Sequence, residues 1–231
     1  MDRIASNPLK RIFDIFASGL ILLVISPVMF IVAAAIKLSG EDVFFKQDRI
    51  GLGLKPFGVL KFTTMPKGSE KLGMLAPTGD KRVTELGKFL RKTKINELPQ
   101  FINVFSGQMS MVGPRPLFGK QVAQYENQVQ EAISKMRPGI TGLGSLFFSA
   151  EDALLATVRD KERFYNTVVL PQKGRLELYY FDNWSFWLDV QIVFLTFLSV
   201  LQGKSNLPKR TWFLVEGFDE AVHSFQAADS K

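Results

Sequence analysis

The stretch Ile15–Ile36 reads IFASGLILLVISPVMFIVAAAI and contains no charged side chain in 22 residues. A helix of this length reaches about 33 Å, which exceeds the roughly 30 Å hydrocarbon core of a bilayer. The stretch therefore predicts a membrane segment. A buried core helix and an uncleaved signal sequence are the alternatives. A cleavable signal fits poorly, because its apolar region usually spans only about 7–15 residues.

Ser26 and Pro27 lie in the middle of this stretch. A proline has no N–H to donate and clashes with the carbonyl four residues before it, so we expect the helix to break or kink here. Lys10 and Arg11 precede the stretch and Lys37 follows it, so the basic flanks favour one side of the membrane for both ends. A re-entrant helix–break–helix and a Pro-kinked transmembrane helix both remain open from composition alone.

The composition of the whole chain excludes several kinds of catalytic and metal site. It has 231 residues, a formal net charge of +7 and no cysteine. The absence of cysteine excludes a disulfide scaffold, a thiolate nucleophile, a cysteine zinc site and an iron–sulfur cluster. The only histidine, His223, argues against a Ser-His-Asp triad. The positive charge favours an anionic partner, and the apolar stretch favours a phosphate-bearing substrate and membrane lipid over nucleic acid.

The rest of the chain predicts an α+β fold that is mainly helical. Short β-prone runs at Val43–Phe45 and Phe57–Phe62 flank a glycine-containing turn and predict a small β-hairpin. A loop is expected over Gly68–Gly79. Helices are expected from Thr84, from Asn96, over Leu117–Met136 and over Glu151–Arg163.

The C-terminal third combines aromatic residues with a short apolar run. Val190–Leu201 is only 12 residues long, too short to span a bilayer, and Trp184, Trp187 and Trp212 all lie in this third. The pattern indicates amphipathic helices in the membrane interface, with an ordinary buried helix and an aromatic cluster as the alternative. We predict three segments: 1–39 with the membrane helix, 40–175 as a cytoplasmic catalytic domain, and 176–231 as the interfacial helix and tail.

Two neighbouring side chains, Asn96 and Glu97, stand at the predicted start of a helix. Free backbone amides there favour anions, and Glu97 adds a hard oxygen ligand of the kind that Mg²⁺ takes beside substrate phosphates. The alternative is purely structural. Asparagine is a good N-cap, Glu97 complements the helix dipole, and Pro99 is tolerated in the first turn.

Arginine and lysine side chains close to this pair could bind phosphate. Pro114 and Pro116 restrict the backbone on either side of Arg115, so its guanidinium is presented from a stiff loop and can bind phosphate bidentately. A proline-stiffened connector with an exposed arginine is the alternative. A basic strip precedes Asn96 and could hold phosphate or lipid headgroups, or form a solvated face; it consists of Lys88, Arg91, Lys92 and Lys94.

Several motifs in order along the chain resemble the bacterial sugar transferases, the monotopic polyprenyl-phosphate phosphoglycosyl transferases. The resemblance runs from about Lys10 to Gln202, and the combination of motifs is highly specific. The motifs are KRIFD (Lys10–Asp14), the Ser26-Pro27 pair, FFKQDRIG (Phe44–Gly51), KFTTM (Lys61–Met65), NELPQ (Asn96–Gln100), VGPRP (Val112–Pro116) and PGITG (Pro138–Gly142).

This resemblance implies transfer of sugar-1-phosphate from a nucleotide sugar, usually UDP-linked, to undecaprenyl phosphate, with Mg²⁺ required and UMP released. Such a reaction is the first membrane step in making capsule, exopolysaccharide, O-antigen or glycoprotein glycans. It also implies a re-entrant helix broken at Ser26-Pro27 and a catalytic domain on the cytoplasmic face of the bacterial inner membrane. With one long apolar run, the chain resembles the minimal catalytic form; a homodimer stays open.

The resemblance places the chemistry at Glu97, as metal ligand, and at Asn96. It implies phosphate binding by Lys61, Arg91, Arg115 and Arg137.

Three departures from the family pattern bear on mechanism and specificity. The family carries an Asp-Glu dyad with Asp as nucleophile, whereas residue 96 is Asn, whose carboxamide is a poor nucleophile. Direct attack by polyprenyl phosphate is therefore favoured over a Glu97 nucleophile, an inactive variant or another function. The second departure is Leu143–Asp152, which replaces the Gln-Val-x-Gly-Arg ending of many relatives. Thr63 also stands where arginine is common. Sugar and nucleotide preference therefore cannot be carried over from any one relative.

Overall fold

The computed structural model describes residues 4–69, 80, 82–202 and 216–229. Trp212 and most of the predicted loop over Gly68–Gly79 lie outside these residues. The described part is mainly helical with two small two-stranded sheets, which confirms the predicted α+β class. The elements are α1 (Pro8–Leu38), β1 (Phe44–Ile50), β2 (Pro56–Phe62), α2 (Glu85–Lys92), α3 (Gln100–Phe105), β3 (Ser110–Val112), α4 (Gly119–Val122), α5 (Asn127–Ser134), β4 (Gly139–Thr141), α6 (Leu143–Phe147), α7 (Glu151–Leu155), α8 (Lys161–Phe164), α9 (Leu170–Asp182), α10 (Phe186–Gln202) and α11 (Phe218–Asp229).

Helix α1 is 31 residues long and has the length and composition to cross a membrane. Asn7 caps its start by accepting from the backbone N–H of Lys10. The expected break does not end the helix, because the backbone stays helical through Pro27. Pro27 cannot donate to the carbonyl of Leu23, and the hydroxyl of Ser26 donates to that oxygen instead at 2.8 Å. This side-chain bond replaces the missing backbone bond.

Both ends of α1 pack against the rest of the protein, while one face of its middle is exposed. Near the start, Lys10 and Asp14 are buried; near the end, Val32 and Ile36 pack against β2 and α2. Between these ends, large apolar side chains point into the surroundings, among them Phe16 (74% exposed), Leu23 (72%) and Phe30 (78%). The helix thus presents an apolar face over its length and is attached to one body at both ends.

A buried polar network fixes the start of α1. The ammonium group of Lys10 lies 2.6 Å from the carboxylate of Asp189 in α10 and donates to the carbonyl of Val112 in β3 at 2.9 Å. The hydroxyl of Tyr180 donates to the same carboxylate at 2.7 Å. Asp14 accepts from the backbone N–H of Met111 at 2.9 Å and from a serine hydroxyl beside it. Helix α1 is therefore joined to β3, α9 and α10 by charged and backbone groups.

The predicted hairpin is confirmed as β1 and β2, which pair antiparallel from Phe44 opposite Phe62 to Ile50 opposite Pro56. Because side chains alternate between the two faces of a sheet, Arg49 of β1 and Lys61 of β2 share a face. The hairpin therefore brings two cations from segments 12 residues apart to the same side of the sheet.

Two long predicted helices are wrong in extent. The stretch over 117–136 forms α4 and α5, because the backbone at Glu126 is extended and interrupts the helical hydrogen bonds. Tyr125 between them is buried with Val122 and Val129. This burial stabilises the interrupted arrangement over one continuous helix. The stretch over 151–163 similarly forms α7 and α8, and Asp160 caps α8 by accepting from the backbone N–H of Arg163.

A short parallel pair, β3 with β4, was not predicted from the sequence. Each strand has only three residues, too few for a periodic pattern. Beyond the strand ends, the backbone N–H of Gly139 donates to the carbonyl of Pro114 at 2.8 Å and that of Gly113 donates to Thr141 at 2.9 Å. The pair thereby holds the loop that carries Arg115 against β4.

Replacing Gly139 with alanine is expected to lower stability by about 3 kcal/mol, because the new Cβ would lie 2.2 Å from the backbone nitrogen of Gly113. Backbone on both sides leaves nothing flexible to give way. Thermal unfolding of the purified protein in detergent measures the loss. Gly119→Ala is the matched control, since its nearest neighbour would be 3.8 Å away; equal melting temperatures for the two variants would contradict the expectation.

One hydrophobic core joins the middle and the C-terminal part of the chain. Its buried members include Val112 and Leu143 as well as Leu188 and Phe218, and α9 runs without interruption across residue 175. Helix α10 divides its surface: Leu188 is fully buried, whereas Trp187 is 64% exposed. It therefore combines the core helix and the exposed apolar helix that the sequence offered as alternatives. The three-segment division stays a prediction.

Candidate active site

Asn96 and Glu97 lie in a 3-10 turn, Ile95–Glu97, and not at the start of an α-helix. Lys94 enters this turn with a left-handed backbone at φ 59°, and α3 begins only at Gln100. The predicted N-cap role of Asn96 is therefore wrong. Its side chain is buried, and Oδ1 has no hydrogen-bond partner in the part of the chain that the structure describes. A buried oxygen of this kind is costly unless something else satisfies it.

Glu97 faces a group of cations. Its Oε1 lies 3.6 Å from Nζ of Lys61 in β2. Burial lowers the pKa of Lys61, and the charge of Glu97 opposes that change, while Arg49 and Arg115 add to it. Burial also lowers the pKa of Arg49 to about 10, with Arg115 acting in the same direction and Glu97 against it. One carboxylate is thus near three cations, which leaves a net positive site suited to an anion.

Arg115 is the exposed member of this cluster. Among the described residues its guanidinium makes no hydrogen bond or ion pair, so its donors are available to a ligand. It lies in the loop between β3 and α4, which the β3–β4 pair holds in place. The stiff presentation expected from the two flanking prolines agrees with this position. The arrangement allows Arg115 to bind a phosphate next to Glu97.

Arg49 is a member of the site that the sequence did not single out. Its guanidinium stacks over the ring of Phe118 at 3.4 Å and donates to the side chain of Gln47 at 2.9 Å. Stacking and the hydrogen bond orient the planar group toward the cluster. The motif Phe44–Gly51 contained Arg49, but only the hairpin register shows that it shares a face with Lys61.

Arg91 and Arg137, the two other predicted phosphate ligands, form hydrogen bonds within the protein. Arg91 donates through Nε to the hydroxyl of Thr64 at 3.0 Å. Arg137 donates through Nε to the carbonyl of Gly107 at 2.9 Å and through Nη1 to that of Ala5. These hydrogen bonds go to Thr64, Gly107 and Ala5 and not to Glu97. The structure brings Glu97, Lys61 and Arg115 together, and phosphate binding by Arg91 and Arg137 stays a prediction.

The donor set of this site fits Mg²⁺ only in combination with a substrate. The described residues contain no group of three or more His, Cys, Asp or Glu side chains that could hold a metal. Glu97 offers one carboxylate, and the adjacent Asn96 offers an amide oxygen that lacks a partner. Mg²⁺ commonly binds one or two carboxylates together with substrate phosphates and water. The residues therefore fit this metal if phosphate oxygens complete its coordination.

The chain belongs to the bacterial sugar transferase family, whose model matches residues 5–203. Membership places it in a family of enzymes of the transferase class. The match covers the apolar helix, the hairpin, the Glu97 turn, the Arg115 loop and α10, which are the elements that build the site.

Curated relatives agree with this assignment. A Klebsiella pneumoniae protein named UDP-glucose:undecaprenyl-phosphate glucose-1-phosphate transferase is 39% identical over 202 residues, which cover 85% of this chain and 41% of that protein. An Aeromonas hydrophila protein named UDP-N-acetylgalactosamine-undecaprenyl-phosphate N-acetylgalactosaminephosphotransferase is 38% identical over 200 residues, 84% of this chain and 44% of that protein. The chain thus spans about two fifths of the length of these two relatives.

A third relative is matched over most of its length. The uncharacterized sugar transferase EpsL of Bacillus subtilis (strain 168) is 37% identical over 194 residues, which cover 84% of this chain and 87% of that protein.

Proposed function

We propose that this chain transfers sugar-1-phosphate from a UDP-sugar to undecaprenyl phosphate and releases UMP. The observation that carries the proposal is the single carboxylate of Glu97 among Lys61, Arg49 and Arg115, with the guanidinium of Arg115 unpaired among the described residues. A diphosphate needs several cations and a metal ligand at one place, and this cluster supplies both. Relatives named for this reaction support the substrate class.

The attachment of α1 supports a monotopic arrangement with both ends on one side of the membrane. A straight helix across a bilayer places its two ends about 30 Å apart on opposite faces. Here Lys10 near one end and Ile36 near the other are both buried against the same body. We propose that α1 enters the bacterial cytoplasmic membrane with its bare apolar face and that the remaining domain lies on the cytoplasmic side. Bending at Ser26 and Pro27 would give the re-entrant form.

The bond changes assign roles to the side chains. An oxygen of undecaprenyl phosphate attacks the sugar-bearing phosphorus of the UDP-sugar, the bond from that phosphorus to the bridging oxygen breaks, and UMP leaves with that oxygen. Arg115, Arg49 and Lys61 bind the diphosphate and offset the charge that moves to the leaving UMP. Mg²⁺, held by Glu97 and the phosphates, supplies further charge stabilisation when bound.

Asn96 makes direct attack the favoured route. A carboxamide has no anionic oxygen, whereas polyprenyl phosphate is itself an anion and needs only to be positioned in line. The side-chain NH2 of Asn96 can donate a hydrogen bond to a phosphate, and its buried Oδ1 is free to accept one from a ligand. Both substrates would then have to be bound together before UMP is released.

Replacing Asn96 with aspartate is expected to create a protein-bound phosphosugar when the protein is given a UDP-sugar without lipid. The new carboxylate can attack the phosphorus that Arg115 and Glu97 have positioned. Intact-protein mass spectrometry measures the added mass. Asn127→Asp, at an exposed position of α5, is the control. An adduct on the unchanged protein would contradict direct attack, and an adduct at Glu97 would identify that residue as the nucleophile.

A panel of UDP-sugars tests the proposed function. UMP release is measured with the protein in lipid nanodiscs, with and without undecaprenyl phosphate and Mg²⁺. We expect release only when both are present. The carboxamide at position 96 also favours a second candidate, a non-catalytic protein that binds polyprenyl phosphate. Lipid binding without UMP release from any donor would support that candidate and overturn the transferase.

A further inference from the structure

A small cleft is lined by Arg115 and not by Glu97. Its volume is about 30 Å³, far below the several hundred Å³ of pockets that enclose whole ligands. It therefore has room for one substituent of a larger molecule. Its polar lining consists of Arg115, Ser145, Glu151, Lys173 and Glu177, and its apolar lining includes Tyr125 and Phe148.

Glu177 is the unusual member of this lining. It is only 5% exposed, and in the described part of the chain its carboxylate has no hydrogen-bond donor. Burial raises its pKa to about 7, and the charge of Lys173 opposes the rise. A largely buried carboxylate without a protein donor is costly. A group that donates a hydrogen bond from a ligand would satisfy it.

The neighbouring lysine is already paired elsewhere. Nζ of Lys173 lies 2.7 Å from Oε2 of Glu151 and is about 5 Å from the ring centroids of Phe148 and Tyr165. The ion pair and the two rings hold it in position, so it acts on Glu177 through charge and not through a direct bond. The acceptor capacity of Glu177 remains available to the cleft.

One wall of the cleft is the segment in which this chain departs from the pattern of its family. Gly144, Ser145, Phe148 and Glu151 all lie within Leu143–Asp152. A Cβ on Gly144 would lie 2.9 Å from Oε1 of Glu177, so the glycine leaves space for the carboxylate. The segment therefore shapes the part of the cleft that faces Glu177.

Arg115 joins this cleft to the site of phosphate chemistry. The charge of Arg115 lowers the pKa of Arg49 and of Lys61 in the Glu97 cluster. It also lowers the pKa of Lys173, which lines the cleft. A diphosphate bound at Arg115 would therefore have its attached sugar beside the opening of the cleft. We propose that the cleft receives one hydrogen-bond-donating substituent of the donor's sugar, a hydroxyl or an N-acyl N–H, and that Glu177 accepts its hydrogen bond. This inference rests on the proposed function and identifies Glu177 as a residue that determines the donor-sugar specificity of the same site.

The test compares donors and not total activity. Values of kcat/KM are measured for UDP-glucose, UDP-galactose, UDP-N-acetylglucosamine and UDP-N-acetylgalactosamine with the full chain in nanodiscs. Glu177→Gln is expected to change the ratio between the best donor and its epimer by about 10-fold, because a carboxyl group is replaced by an amide that accepts hydrogen bonds more weakly than a carboxylate. A loss of folded protein cannot produce this change, because the folded fraction cancels from the ratio.

A second variant and two controls make the outcome decisive. Gly144→Ala should change the same ratio in the same direction, since its Cβ displaces the carboxylate without removing it. Glu162→Gln, at an exposed position of α8, should leave the ratio unchanged. Inhibition by UMP should be equal for Glu177→Gln and the unchanged protein, because UMP carries no sugar at this place.

The outcomes separate the two proposals. An unchanged ratio in Glu177→Gln, with UMP still released, overturns the specificity role alone. If Glu177→Gln is inhibited more weakly by UMP and all donors are affected equally, the nucleoside lies in the cleft. This result would also overturn the specificity role of Glu177. If the unchanged protein releases no UMP from any donor, the proposed function itself fails, and this inference fails with it.

Discussion

Replacing Glu97 with glutamine is expected to reduce UMP release by roughly 1,000-fold or more while the KM for the UDP-sugar changes little. Glutamine keeps the size of the side chain and removes its charge. The three cations that bind the diphosphate, Lys61, Arg49 and Arg115, remain, so donor binding persists. What is lost is the carboxylate that would hold Mg²⁺ beside the phosphates, which acts mainly in the transition state.

Steady-state kinetics in nanodiscs, with Mg²⁺ varied at saturating donor, measure this effect. Glu85→Gln is the matched control, because Glu85 is exposed and, among the described residues, pairs with Lys88 alone, one turn further along α2. Full activity of Glu97→Gln would exclude the metal role. A loss confined to KM would instead make Glu97 a donor-binding residue.

Replacing Lys10 with methionine is expected to lower the free energy of unfolding by about 3–5 kcal/mol. The change leaves the carboxylate of Asp189, which is fully buried, without its cation 2.6 Å away. Tyr180 and Trp184 still donate hydrogen bonds to it, but neither carries a charge. A buried charge that loses its partner is among the most costly single changes to a protein.

Thermal unfolding in detergent should show a fall in melting temperature of about 10 °C or more. Lys37→Met is the control, since Lys37 lies exposed in the last turn of the same helix. Adding Asp189→Asn to the Lys10 variant should restore part of the loss by removing the unpaired charge. Equal melting temperatures for Lys10→Met and Lys37→Met would show that the buried pair does not stabilise the protein.

Features with a local cause could be predicted from the sequence. The apolar stretch identified α1, the β-prone runs identified the hairpin, and Thr84 caps α2 by accepting from the backbone N–H of Gly87. Each depends on residues within a few positions of one another. The family was also recognisable, because its motifs are short and occur in a fixed order.

Features that depend on a distant partner, on a backbone angle or on a side-chain hydrogen bond were not fully predicted. Arg49 joins the site only through the register of the hairpin, and the parallel pair of β3 and β4 joins strands that each have three residues. Asn96 carries a good capping side chain, yet the left-handed backbone at Lys94 puts it in a 3-10 turn. A break or a kink was expected at Pro27; the helix continues through it, and the Ser26 hydroxyl satisfies the carbonyl that proline leaves free, while the re-entrant form stays a prediction. In each case the structure depends on a partner or a backbone angle that the residue type alone does not determine.

The polar attachment of α1 limits how this protein can be shortened. Lys10 and Asp14 bind backbone groups of β3 at Val112 and Met111, three and four residues before Arg115. Deleting residues 1–39 to obtain a fragment without the apolar helix would therefore remove more than apolar surface. It would leave Asp189 unpaired in the core and expose the strand that supports the arginine loop. Solubilising designs should keep α1 and replace only its bare apolar side chains, such as Phe16, with polar ones.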